Sequence, residues 1–406
     1  MPMPVPQPAP VPASRLAALL AGSLLLAGCI GPSLGGITGA VGSLGGSSAA
    51  PAAVAVHVAS TRPALAGDTL GDPTRERARF YRQIVTIPPG HRPGTLSRPQ
   101  IGAPNPMRHF TLADREAVTP EAFRASLARA VAGRAAEDRD VLVYVHGFNT
   151  DYEEAAFRLV QVAHDARFRG IPVLFTWPSY NRVLAYGGDR EIATASRDAL
   201  DRLLADLGEV PGIGRIHVIA HSMGAFLTME ALRQAGIAGR GELRGHLGEV
   251  ILAAPDLDVE VFRQQVAHIG RPSRISLFVQ SDDRALAAAA RVAWDRPRVG
   301  ALDVRDARHR EIISGLGVRV FVMRSGGWTD LIRHGTFAEA PEIVRLIGGR
   351  IGQPPVVEDQ LPPVPAVTPS LPDELRPPHE QNPMAGQPET ARQVTAGPLE
   401  PAPPRP

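Results

Sequence analysis

From about residue 140 onward the chain alternates between short apolar runs and longer amphipathic ones, and few folds are compatible with that rhythm. "DVLVYVHGF" (140–148), "PVLFTWPS" (172–179), "RIHVIAHS" (215–222), "EVILAAPD" (249–256), "RISLFVQS" (274–281) and "VRVFVMRS" (318–325) are strand-length and continuously apolar. Between the first of them, 153–168 places Ala156, Leu159, Val160 and Ala163 at helical spacing. The stretch 191–208 does the same with Ile192, Ala195, Ala199, Leu203 and Leu207. Further helices are expected over 120–133, 223–235, 258–268, 284–293 and 339–350. Two earlier strands are expected over 53–60 and 79–87, followed by a loop-rich stretch to about residue 115. Apolar strands separated by amphipathic helices predict the α/β class, with a mostly parallel central sheet and helices on both faces. Ligands gather at the carboxyl ends of such strands. That rule selects His146 to Asn149, Trp177 to Tyr180, Ser222, Asp256, Asp282 and Asp283.

The flanks read differently. Residues 351–406 are Pro-rich and almost free of aromatic side chains. Such a segment cannot bury enough apolar surface to offset its ordering entropy, so it is expected to be disordered. Near the other end, "SRLAALLAGSLLLAGC" has a single Arg15, an apolar run, and then Leu26-Ala27-Gly28-Cys29. The run is short and Ala/Gly-rich for a membrane span and fits the core of a signal peptide. Its end resembles a bacterial lipobox, in which Cys29 would become the lipidated first residue. Ile30, rather than an acidic residue, then implies an outer-membrane address facing the periplasm. The expected organisation is a signal peptide over 1–29, a Gly/Ala/Ser linker over 30–52, a catalytic domain over 53–350, and the tail. With one cysteine in the chain, no disulfide can form within it. The formal charge of +2 gives no case for nucleic acid as a partner.

"HVIAHSMGAF" is a strand, a serine and a helix start, one residue from the G-x-S-x-G pattern, with Ala220 at its first position. That pattern places serine on a sharp strand-to-helix turn, where neighbours must be small and helix N–H groups favour developing negative charge. A helix-capping serine is the alternative reading. Serine needs a base, itself oriented by a third group. In hydrolases of this architecture the acid and then the histidine follow in the chain. "SDDRAL" offers Asp283 and Asp282, "LAAPD" offers Asp256, and "LIRHGTF" offers His334. An oxyanion hole would use the N–H of Met223, after the serine, and that of Phe148 in "HGFN". His217 reads as a core histidine and Asp258 as a helix cap.

Jointly, "VLVYVHGFNTDYEEAAFRLVQVAHD", "PVLFTWPS", "SRDALDRLL", "HVIAHSMG", "LAAPDLD", "DDRAL" and "HGTF" resemble the α/β-hydrolase superfamily. More narrowly, the chain is similar to a bacterial group of α/β hydrolases of unknown function, esterase- and lipase-like in character. The resemblance covers about residues 53–350. It implies Ser222, Asp283 and His334 as the triad, with Asp256 as the alternative acid, and Phe148 with Met223 as oxyanion donors. It also fits an envelope lipoprotein, but it supplies no substrate, since that group has none assigned. The triad chemistry itself points to a small-molecule or lipid ester as substrate, and it needs no cofactor or metal. Acyltransferase, thioesterase or amidase chemistry would use the same triad, and a non-catalytic lipoprotein could retain the same fold.

Overall fold

The computed structural model describes residues 50–63, 77–99, 101–179, 186–280, 297–323 and 341–351, with Leu286 and Ala338. Among these residues nine strands form one sheet: β1 (Ala52–Ser60), β2 (Arg79–Ile87), β3 (Thr111–Val118), β4 (Val141–Val145), β5 (Ile171–Thr176), β6 (Ile216–His221), β7 (Leu247–Ala253), β8 (Ile275–Val279) and β9 (Arg319–Val322). Their order in space is β3-β2-β1-β5-β4-β6-β7-β8-β9. From β1 to β9 every neighbouring pair is parallel, whereas β2 is antiparallel to β1 and to β3. The expected α/β-hydrolase fold is present. The chain steps from β4 to β5 on one side and returns to β6 on the other. That reversal opens a crevice at the carboxyl ends of β4 and β6, which lead into Gly147 and Ser222.

Among the described residues the α-helices are α1 (Pro120–Ala132), α2 (Tyr152–Asp165), α3 (Tyr186–Ala195), α4 (Arg197–Gly208), α5 (Met223–Ile237), α6 (Val259–Val266), α7 (Ala307–Ser314) and α8 (Pro341–Ile351). Strand alternation divides the core between the two faces. Val141, Val143 and Val145 pack with Phe123 of α1, Leu203 of α4 and Met229 of α5. Leu142 and Tyr144 face the other way, onto Leu159 of α2 and Ile347 of α8. Each such fully buried aliphatic side chain contributes about 1.5–3 kcal/mol. Asp258 caps α6, accepting from the N–H groups of Glu260 and Val261 at 3.0 and 3.1 Å, as its position in the sequence predicts.

Two expectations are corrected. Residues 111–118 form a strand, although the loop-rich stretch was expected to run to about residue 115. β3 lies at the sheet edge and carries Asp114, Arg115 and Glu116, with Arg82 of β2 paired to Glu116 across the ladder. Charge on an edge strand blocks further pairing, and it also hides the alternation that would reveal the strand. The single helix expected over 191–208 is two helices, broken at Ser196. The buried Ser196 hydroxyl donates back to the Ile192 carbonyl at 2.9 Å, a bond that bends helices, and also meets Thr61 Oγ1 at 2.9 Å. The expected signal peptide, Cys29, the tail beyond 351 and most of the expected helix 284–293 lie outside the described residues. No helix among the described residues is long and apolar enough to cross a membrane.

Candidate active site

Ser222 joins β6 to α5 with φ 52° and ψ −121°, a backbone conformation that a side chain strains. Residues held there cost about 1–3 kcal/mol and persist only where their surroundings determine them. Here the surroundings are backbone. The Ser222 N–H donates to Ala253 at 3.0 Å, and its carbonyl accepts from Ala225 and Asp256 at 2.9 and 3.2 Å. The side chain makes no capping hydrogen bond, so the helix-cap reading does not hold. Gly224 is required by the fold, since a Cβ there would collide with the carbonyl oxygens of Val145 and His146. Ala220, where the pattern has glycine, is fully buried on the helix-covered face of β6.

The "HGFN" turn after β4 is held against this elbow. A Cβ on Gly147 would lie 2.9 Å from His221 Nδ1 and 3.0 Å from Ser222 Cβ, so only glycine allows the turn to come so close. Trp177 N–H donates to His146 Nε2 at 3.1 Å, which assigns the ring proton to Nδ1, and Nδ1 donates to the Gly147 carbonyl at 2.8 Å. The Trp177 indole N–H donates to the His146 carbonyl at 3.0 Å, and the two rings are stacked. Burial, with the Arg62 charge adding to it, pushes His146 well below the usual histidine range, so it is a neutral strut. Arg62 donates to Thr176 Oγ1 and to the Thr150 carbonyl, both at 2.7 Å. Burial lowers its own pKa to about 10, which still leaves it charged at neutral pH. Asn149, at φ 57°, donates its N–H to Ser179 Oγ at 2.9 Å, and Ser179 in turn donates to the buried Asp189 at 2.6 Å.

Among the described residues neither the Phe148 nor the Met223 N–H donates a hydrogen bond, and Met223 opens α5, where no intrahelical acceptor exists. Gly147→Ala should therefore push the turn away from the elbow. With these two N–H groups as the expected oxyanion donors, the expected result is a fall in turnover of about 10²–10³-fold, the cost of losing one donor, with a small change in KM in steady-state kinetics.

Asp256 follows β7 next to the elbow. Tyr186 Oη donates to Oδ2 at 2.6 Å, while Oδ1 lies 3.3 Å from Arg298 Nε, a charge contact without hydrogen-bond geometry, with the Asp256 and Arg298 side chains only 3% and 4% exposed. Burial, and then the adjoining Asp256 charge, raises the Tyr186 pKa, so the phenol stays a donor. Tyr186 also packs edge-on against the Phe148 ring, linking Asp256 to the "HGFN" turn. The backbone around Asp256 is tight. Ala254 has φ 43°, and a Cβ on Gly300 would come within 2.7 Å of the Ala254 and Pro255 backbone.

The structure thus brings together Ser222, Met223, the Phe148 turn and Asp256. Asp282, Asp283 and His334 lie outside the described residues. Arg62, Thr176, Tyr186 and Arg298 were not singled out from sequence. Arg62 left one usable signal, a cation just beyond a buried strand. His217 is buried as expected, 3.3 Å from Asp140 and accepting from the Glu249 N–H at 3.0 Å.

Residues 120–350 match the family described as alpha/beta hydrolase of unknown function (DUF900). A 60-residue stretch is 40% identical to uncharacterized protein alr1448 of Nostoc sp. (strain PCC 7120 / SAG 25.82 / UTEX 2576), covering 15% of this chain and 16% of that protein. The chain thus spans about a sixth of that relative's length. A lipase-esterase related protein from Clostridium acetobutylicum ATCC 824 aligns over 53% of this chain and 96% of its own, at 10% identity and a TM-score of 0.30, too distant to bear on either fold or activity. The family match spans more than half of the chain and contains the elbow and the "HGFN" turn, and the protein belongs to the DUF900 family of alpha/beta hydrolases.

Proposed function

We propose that the protein is a serine hydrolase acting on carboxylic esters, with Ser222 as its nucleophile. The observation that carries this reading is the strained Ser222 backbone combined with a hydroxyl that caps nothing. His334 takes the Ser222 proton as Oγ attacks the ester carbonyl. The resulting oxyanion is met by the N–H groups of Met223 and Phe148. His334 then returns the proton to the departing alkoxide, leaving an acyl-enzyme that water hydrolyses through the same base. Asp283 holds His334 in the required tautomer. The commitment of Asp256 to Arg298 and Tyr186 supports Asp283 over Asp256 in that role. Anchoring through a lipidated Cys29, on the outer membrane facing the periplasm, belongs to the same proposal and rests on the N-terminal sequence alone.

A panel of p-nitrophenyl esters of graded chain length, against thioester and amide counterparts, identifies the preferred acyl group and leaving group. On the best ester, Asp283→Asn should lose about 10³–10⁴-fold in kcat, whereas Asp256→Asn should stay within roughly tenfold. Near-normal turnover in Asp283→Asn would remove Asp283 from the triad.

A further inference from the structure

At the opposite end of α2 from the candidate active site, three metal-ligating side chains converge. His164 and Asp165 close the last turn of α2, and His91 comes from the "HRPG" turn after β2. One ligand atom of each lies within 4.8 Å of those of the other two. His91 Nε2 is 2.6 Å from Asp165 Oδ1, with the two side chains 5% and 1% exposed, and the His91 and His164 rings are 5.5 Å apart between centroids.

The local sequence builds this arrangement. Thr95 N–H closes a turn onto the Arg92 carbonyl at 3.0 Å, with Pro93 and Gly94 at its centre and Gly94 at φ 84°, a type II turn. The turn aims the Gly94 N–H at Asp165 Oδ2, at 2.8 Å. Gln161, fully buried one helical turn earlier, donates to the same oxygen at 2.7 Å. Both donors orient the carboxylate from outside the cluster, as outer-shell partners of metal ligands do. The carbonyl end of α2 adds partial negative charge that favours a cation.

We propose that His91, His164 and Asp165 bind one divalent transition-metal ion of the zinc class. Two imidazole nitrogens and one carboxylate oxygen suit zinc at neutral pH. The exposed His164 leaves the site open to solvent for a fourth ligand. The ion would clip the turn after β2 to the end of α2 and take no part in ester chemistry. His91 stands 74 residues before Asp165 in the chain, so no short sequence motif announces this set.

The test uses the full chain, stripped with a chelator and titrated with zinc against a chromophoric competitor, with cobalt as a spectroscopic probe. Wild type should bind one ion per chain in a tight site, show a tetrahedral cobalt band, and unfold at higher temperature with zinc. His164→Ala keeps the His91–Asp165 contact. It should bind at least tenfold more weakly and lose the cobalt band, and His91→Gln should do the same. Absence of stoichiometric binding by wild type, or wild-type affinity in both variants, would overturn the site.

Discussion

Ser222→Gly is expected to abolish ester turnover, by a factor on the order of 10⁴ or more, while making the protein more stable by about 1 kcal/mol. The two effects have one cause. At φ 52° and ψ −121° the Ser222 Cβ is strained, and glycine relieves that strain with only a partial entropic offset. Ser222→Ala removes the nucleophile but keeps the Cβ, so it should match wild-type stability and lose activity equally. A serine that merely capped α5 would behave otherwise, because alanine would then cost about 1 kcal/mol and glycine a few tenths. Chemical denaturation of the three proteins, with ester kinetics alongside, separates these outcomes.

Arg298→Met is expected to cost about 3–5 kcal/mol, the largest stability loss anticipated here. It leaves the buried Asp256 carboxylate charged, with the Tyr186 hydroxyl still donating to Oδ2. The loss should reach activity as well, because the Asp256 N–H donates to the Ser222 carbonyl and Tyr186 packs on Phe148. Asp256→Asn in the Arg298→Met background should recover much of the stability, since it removes the uncompensated charge. A double variant no more stable than Arg298→Met would refute the ion pair as the cause.

Much of the fold was legible because its parallel strands are buried on both faces and read as continuous apolar runs. Val141 to Val145 and Ile216 to Ala220 are cases in point, and every one of those residues but His217 is a buried hydrophobic. β3 was not legible, because its place at the sheet edge fills it with charge. The α3–α4 break was missed because helical periodicity continues through Ser196, whose hydroxyl reaches the Thr61 hydroxyl 135 residues away. At the site, Ser222 and the "HGFN" turn were readable since their local sequence is constrained by backbone geometry. The set Arg62–Thr176–His146 and the set Tyr186–Asp256–Arg298 were not. Each is assembled from separate β/α units, and nothing in any one unit announces its partners.

The central claim, that Ser222 is an activated nucleophile, is tested most directly by a fluorophosphonate probe followed by peptide mass spectrometry. Wild type should carry one adduct, on the peptide containing Ser222, and Ser222→Ala should carry none. An adduct that persists in Ser222→Ala, or a folded wild-type protein that takes no label, would contradict the assignment.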